Sequence, residues 1–239
     1  MGPLAGAIFN LRLTKACIDR FKSDKGDQSI PSTILYSKND TPDRSQAILK
    51  GLNEDDWSAH EAVKQHLTMG IETLKKSGVT HVIAPCNTAH VALREVIPNS
   101  GIQLIDMIRA TTNHLTQYQR KRVGILGTPG LVKSNIYHHE LSSNQIQALS
   151  PNPEEQAAVM AVIRQEKQGR VDHDTIRKWR DWLVGWQQEN DLDAIVLGCT
   201  ELPLILTHID DSRPEWVDPQ QLVINEAVDL MASWQSADR

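Results

Sequence analysis

Five short apolar runs set the limits on what this chain can fold into. They lie at residues 32–36, 81–84, 102–105, 123–126 and 194–197. Each is nearly continuous in aliphatic and β-branched residues, the pattern of strands buried on both faces of a parallel sheet. Longer stretches of helical periodicity separate them. One covers about residues 60–77, with Val63, Leu67, Ile71 and Leu74 at spacings of three and four, and Gly78 ends it. A second follows Pro153-Glu154-Glu155, whose acidic residues suit a first helical turn. A third runs from about Thr175 to Glu189. Strand and helix alternating in this way predict an α/β fold with parallel sheets.

The length, 239 residues, allows one large domain or two small ones. A hydrophobic fraction of 40% is enough for a core, and no run of about 18 apolar residues predicts a membrane span. Residues 1–8 lack the basic and long apolar segments of a signal peptide, so the expected location is the cytoplasm. The net charge of −5 argues against nucleic acid or an anionic membrane as partner. An anionic substrate would therefore need a few placed cations. Cys17, Cys86 and Cys199 cannot all pair, and without a CxxC they predict reduced thiols and no zinc site.

Two stretches resemble each other. Val82-Ile83-Ala84-Pro85-Cys86-Asn87-Thr88 and Ile195-Val196-Leu197-Gly198-Cys199-Thr200-Glu201 each carry an apolar strand, a turn residue, a cysteine and then polar side chains. Two facing α/β lobes would place both thiols at strand C-termini, where ligands bind in open sheets. Inverting a carbon that bears one hydrogen needs two groups on opposite faces, each able to act as acid or base. A thiol is suited to this when a helix N-terminus draws its pKa towards neutrality. Free N–H groups there, with Asn87, Thr88 and Thr200, would hold a carboxylate and the charge that develops on deprotonation. His90, one turn after Cys86, is placed to polarise a thiol or a carboxylate. A lone cysteine is more often a small core residue, and Cys17 is read that way.

At these motifs the chain resembles the aspartate/glutamate racemase superfamily, and its aspartate racemase branch in particular. Ala84-Pro85-Cys86-Asn87-Thr88-Ala89-His90 is similar to the first cysteine motif and Leu197-Gly198-Cys199-Thr200-Glu201-Leu202-Pro203 to the second. Glu201 stands where cell-wall glutamate racemases typically have His. Met1-Gly2-Pro3-Leu4-Ala5, Pro42-Asp43-Arg44-Ser45 and Val217-Asp218-Pro219 match further family segments. The resemblance implies two similar three-layer α/β lobes with parallel sheets and an active site in the cleft between them. The first lobe would comprise residues 1–112 with 217–239, the second residues 113–216. It also implies a homodimer that racemises aspartate, or glutamate, without pyridoxal phosphate or metal. Cys86 and Cys199 would be the acid/base pair, Arg44 and Lys167 would hold carboxylates, and Glu201 would tune the second cysteine. Two departures stand out. The family begins with an apolar strand ahead of the Met-Gly-Pro turn, so a misassigned start or a truncation, and an unstable first lobe, are expected. Leu131 also replaces a common Thr near the carboxylate site.

Other features carry plainer readings. Gly124, Gly127 and Gly130 do not have nucleotide-loop spacing and read as a strand–turn–helix junction. Trp179, Trp182 and Trp186 read as core or interface packing, and His138-His139 as a solvated helix edge. Asp210-Asp211 and Glu54-Asp55-Asp56 read as loop and helix-start residues. The rival functions are isomerisation or decarboxylation of a small diacid, racemisation of a hydantoin, and non-catalytic binding of an amino acid.

Overall fold

The computed structural model describes residues 2–22, 26–207, 213 and 215–237. The helices are α1 (Pro3–Arg20), α2 (Arg44–Glu54), α3 (Ser58–Lys76), α4 (His90–Val96), α5 (Met107–Gln117), α6 (Pro129–Lys133), α7 (Ile136–Ser142), α8 (Pro153–Lys167), α9 (His173–Glu189), α10 (Glu201–Thr207) and α11 (Pro219–Ala237). The strands are β1 (His81–Val82), β2 (Gln103–Leu104), β3 (Arg122–Leu126), β4 (Gln147–Leu149), β5 (Ala194–Leu197) and β6 (Trp216–Val217). They form two parallel sheets, β1-β2 and β4-β3-β5-β6. Asp210-Asp211 lies outside the described residues.

The larger sheet is buried on both sides, as the continuous apolar runs predict. Ala194 and Val196 of β5 join Val123 and Ile125 of β3 in a core shared with α5, α6 and α7. Ile195, Leu197 and Leu126 point the other way, into a core shared with α8, α9 and α10. Helix, sheet and helix thus make three layers. Trp179 and Trp186 belong to this second core, with Trp182 stacked between them at centroid distances of 5.1 and 5.6 Å. Gly124 is the reason Trp186 can lie flat on β3, since a Cβ there would overlap the indole ring.

Helix boundaries follow local chemistry. Asn152 and Glu155 form a reciprocal capping box that opens α8. Asp106 accepts the N–H groups of Ile108 and Arg109 to open α5. Asp55 takes a left-handed conformation after α2, and Asp56 accepts the Ser58 N–H at the start of α3, as the loop reading anticipated.

The first lobe departs from expectation at residues 32–36, which are extended but form no strand. A strand exists through pairing, and among the described residues no main-chain hydrogen bond joins this segment to another element. It lines a cavity of about 420 Å³ together with β1. Cys17 is a core residue, 1% exposed, packed with Phe9, Leu13 and Val223.

Candidate active site

The two cysteine loops meet at one turn. Cys86 follows β1 in an extended conformation and leads into a single 3-10 turn at Asn87–Ala89 and then α4. Cys199 follows β5, with Glu201 opening α10. The turn between β3 and α6 ties the loops together. Thr88 Oγ1 lies 3.1 Å from Thr128 Oγ1, and Gly198 N–H donates to Leu126 O at 2.7 Å. The Ser45 hydroxyl, beside Arg44, accepts the Gly130 N–H at 2.8 Å. Sequence neighbours of Arg44, Cys86 and Cys199, namely Ser45, Thr88 and Gly198, thereby meet at the turn that opens α6.

The surroundings of the thiols differ. Cys86 is half-buried and Cys199 is buried. The Cys199 thiol donates to Glu201 Oε2 at 2.9 Å, and the Thr200 hydroxyl donates to the same oxygen at 2.9 Å. Lys167 Nζ stands 3.7 Å from Glu201 Oε1. Burial pushes the Cys199 thiol well above its ordinary pKa, and the Glu201 charge pushes it further. For Cys199 this corrects the expectation that a helix N-terminus would draw the thiol towards neutrality. Burial against the core of α8, α9 and α10, and then the carboxylate in hydrogen-bond contact, outweigh any pull from the start of α10.

His90 is also corrected. It is fully buried and held neutral, because burial lowers its pKa. Its Nε2 accepts the Met107 N–H at 3.1 Å, so Nδ1 carries the proton and donates to Cys86 O at 2.9 Å. The ring ties the Cys86 loop to the start of α5 and has no nitrogen left for a thiol or a carboxylate.

The binding candidates separate by whether their donors are engaged. Thr88 and Thr200 are occupied by Thr128 and Glu201. Asn87, 2% exposed, accepts the Tyr137 hydroxyl at 2.6 Å through Oδ1, while its Nδ2 is buried without a partner. Arg44 Nη1 donates to Pro42 O at 3.0 Å, and its Nε is likewise buried without a partner. Unpaired buried donors are costly, which sets these two side chains apart from Thr88 and Thr200. Lys167 reaches the site through Glu201. Leu131 is a core residue whose Cδ2 fills the space a Cβ would take at Gly127 and Gly198. The glycine series is thus a packing device. His138 is half-buried with Nε2 3.0 Å from Ser150 Oγ, not a fully solvated edge.

Sequence reasoning missed Ser45 as a bridge, Tyr137 and Thr128. Thr128 had a legible signal, because Thr-Pro-Gly reads as an N-cap with proline at the first helical position, and its hydroxyl accepts the Leu131 N–H. Among the described residues no group of three His, Cys, Asp or Glu is arranged to hold a metal. No described helix is long and apolar enough to cross a membrane.

Residues 8–227 match the family model of Asp/Glu/hydantoin racemases. The chain belongs to that family. It is 25% identical over 177 residues to the broad specificity amino-acid racemase RacX of Bacillus subtilis (strain 168), covering 74% of this chain and 76% of the relative. To a glutamate racemase of Staphylococcus haemolyticus (strain JCSC1435) it is 29% identical over 165 residues, 63% of this chain and 56% of that one. The structure of Picrophilus torridus aspartate racemase superposes with a TM-score of 0.72 at 24% identity, over 97% of this chain and 91% of that one. An aspartate racemase homologue from Pyrococcus horikoshii OT3 superposes at 0.68 with 22% identity, over 95% of each. At these identities the two structural likenesses establish the two-lobed fold of this racemase-family protein.

Proposed function

We propose that this protein is a cofactor-independent racemase of an acidic amino acid, aspartate first and glutamate second, working through Cys86 and Cys199. The observation that carries the reading is the convergence of the two cysteine loops, which follow strands of different sheets, on the turn that opens α6. In one direction the Cys86 thiolate takes the α-proton and the Cys199 thiol delivers its own proton to the opposite face. In the other direction the roles exchange, and Glu201 holds Cys199 in place through its hydrogen bond. The unpaired donors of Asn87 and Arg44, with Lys167, would bind carboxylates. An Arg fork and an ammonium suit a dicarboxylate in an acidic protein. Division into residues 1–112 plus 217–239 and residues 113–216, assembly as a homodimer and cytoplasmic residence belong to the same reading.

The test is to replace each cysteine by serine in turn and follow both enantiomers of aspartate in D₂O. Each variant should lose racemisation and retain α-proton exchange of one enantiomer only, opposite enantiomers for the two variants. Undiminished racemisation in either variant would sink the assignment.

A further inference from the structure

Three consecutive residues of the Cys86 loop are each bonded to a side chain. The Cys86 carbonyl accepts from His90 Nδ1 at 2.9 Å, the Thr88 and Thr128 hydroxyls pair at 3.1 Å, and Asn87 Oδ1 accepts from Tyr137 at 2.6 Å. The last bond fixes a direction as well as a place. Asn135, left-handed at φ 56°, turns the chain between α6 and α7. Two residues on, Tyr137 is 1% exposed, with its hydroxyl between Asn87 and Thr111.

That hydroxyl has one proton and two neighbours. Thr111 Oγ1 lies 3.5 Å away and gives its own proton to Met107 O at 2.7 Å, so towards Tyr137 it can only accept. Asn87 Oδ1, at 2.6 Å, stands at the separation of an O–H···O bond, shorter than N–H···O bonds usually are. Were the amide turned over, Nδ2 would face the Tyr137 oxygen, and the phenol proton would be left with Thr111 at the longer distance. Burial pushes the Tyr137 pKa far up, so the donor keeps its proton. Asn87 therefore gives its oxygen to Tyr137 and turns its nitrogen away. That nitrogen is buried without a partner, on a side chain 2% exposed that directly follows Cys86. An unmet NH₂ group at this depth is costly until an acceptor reaches it.

We propose that Tyr137 is a positioning residue of the carboxylate site: its hydroxyl pins the Asn87 oxygen and so commits Nδ2 to a carboxylate of the substrate. The identity of that acceptor rests on the racemase reading, whereas the direction of the amide rests on the bond lengths alone.

Tyr137→Phe keeps the ring and removes the one proton. KM for aspartate should rise about tenfold or more, the usual weight of a hydrogen bond to a charged group. The fall in kcat should stay below about threefold, since a carboxylate held equally in ground and transition states acts on KM. Thr111→Val removes a neighbouring buried hydroxyl that cannot donate to Tyr137, and should lower Tm without moving KM. Asn87→Asp can accept from Tyr137 but cannot donate, so adding Tyr137→Phe to it should raise KM no further. In the ligand-free protein, the two Nδ2 hydrogens of Asn87, assigned in a ¹H–¹⁵N spectrum by their absence in Asn87→Asp, should interchange faster in Tyr137→Phe and at the parent rate in Thr111→Val. An unchanged KM in Tyr137→Phe would overturn the proposal, and so would the same KM rise with Asn87→Asp already in place. Equal interchange in Tyr137→Phe and the parent would overturn it too. A parent protein that racemises neither aspartate nor glutamate would count against the racemase reading instead, and the interchange rate would still decide the direction of the amide.

Discussion

Gly130 is the point at which the site can be pried apart with one methyl group. A Cβ there would lie 2.5 Å from Ser45 Cα, 2.6 Å from Ser45 O and 2.7 Å from Ser45 Oγ, where ordinary contact is 3.4–4 Å. Two of those atoms are backbone and cannot swing away, so α2 and α6 must part by about 1 Å. Overpacking of this kind costs about 1–3 kcal/mol. The strained Gly130–Ser45 hydrogen bond adds about 1 kcal/mol, and replacing glycine by alanine in a helix returns about 0.5–1 kcal/mol. The net for Gly130→Ala is a loss of roughly 2 kcal/mol, which lowers Tm by about 4–8 °C in a chain of this size. Because Arg44 moves with Ser45, a shift near 1 Å should also cost on the order of 100-fold in kcat/KM. Gly185→Ala is the control, since nothing lies within 4 Å of its Cβ, and it should raise Tm by a few degrees at about 2–4 °C per kcal/mol. Thermal unfolding and the rate of aspartate racemisation are the two assays. A Gly130→Ala protein with the Tm and rate of the parent would refute the claim that this contact sets the site.

Further outcomes follow from the same packing and charges. Leu131→Ala should destabilise by about 3–4 kcal/mol in urea unfolding, because a fully buried leucine wedged over Gly127 and Gly198 leaves a cavity; a loss under about 1 kcal/mol would show that the turn collapses to fill it. Asp106 both caps α5 and accepts Arg94 Nε at 2.8 Å. Asp106→Asn, which keeps the cap, should therefore cost about 1 kcal/mol and Asp106→Ala about twice that, and equal losses would contradict the dual role. Burial lowers the pKa of His90, His114 and His138. Their neutral forms are native, so the unfolded chain takes up protons first as pH falls below about 6.5 and stability declines from there. Tm should be lower at pH 5.5 than at pH 7.5, with part of the slope removed in His90→Gln; a flat or rising profile would be inconsistent. Glu226, whose pKa burial raises, acts in the opposite sense and only at lower pH.

What the sequence disclosed depended on the range of the physics. Residues 194–197 were legible as a strand because every side chain is buried and the run is continuous, and α8 and α9 were legible through caps and spacing. The two cysteines stood out because their contexts match each other. Residues 32–36 carried an equally good strand pattern and yet form none, since a strand also requires a paired neighbour, which no local pattern encodes. His90 was placed on the right face, but its ring nitrogens are spent on two backbone groups, one of them 17 residues away. Glu201 was tied to Cys199 by adjacency, whereas the rise in the thiol's pKa depends on burial, which exists only after α8, α9 and α10 have packed. The bridges from Ser45 to Gly130 and from Thr88 to Thr128 join segments far apart in sequence and left no mark in spacing.

The central claim is two-sided proton transfer at an amino-acid α-carbon, and proton NMR in D₂O tests it most directly. The protein without added cofactor is incubated with L-aspartate and, separately, with L-glutamate, while the α-proton signal and optical rotation are followed together. The account predicts loss of the α-proton with rotation falling to zero, for aspartate faster than for glutamate. Binding of either amino acid with its α-proton and rotation intact would contradict it.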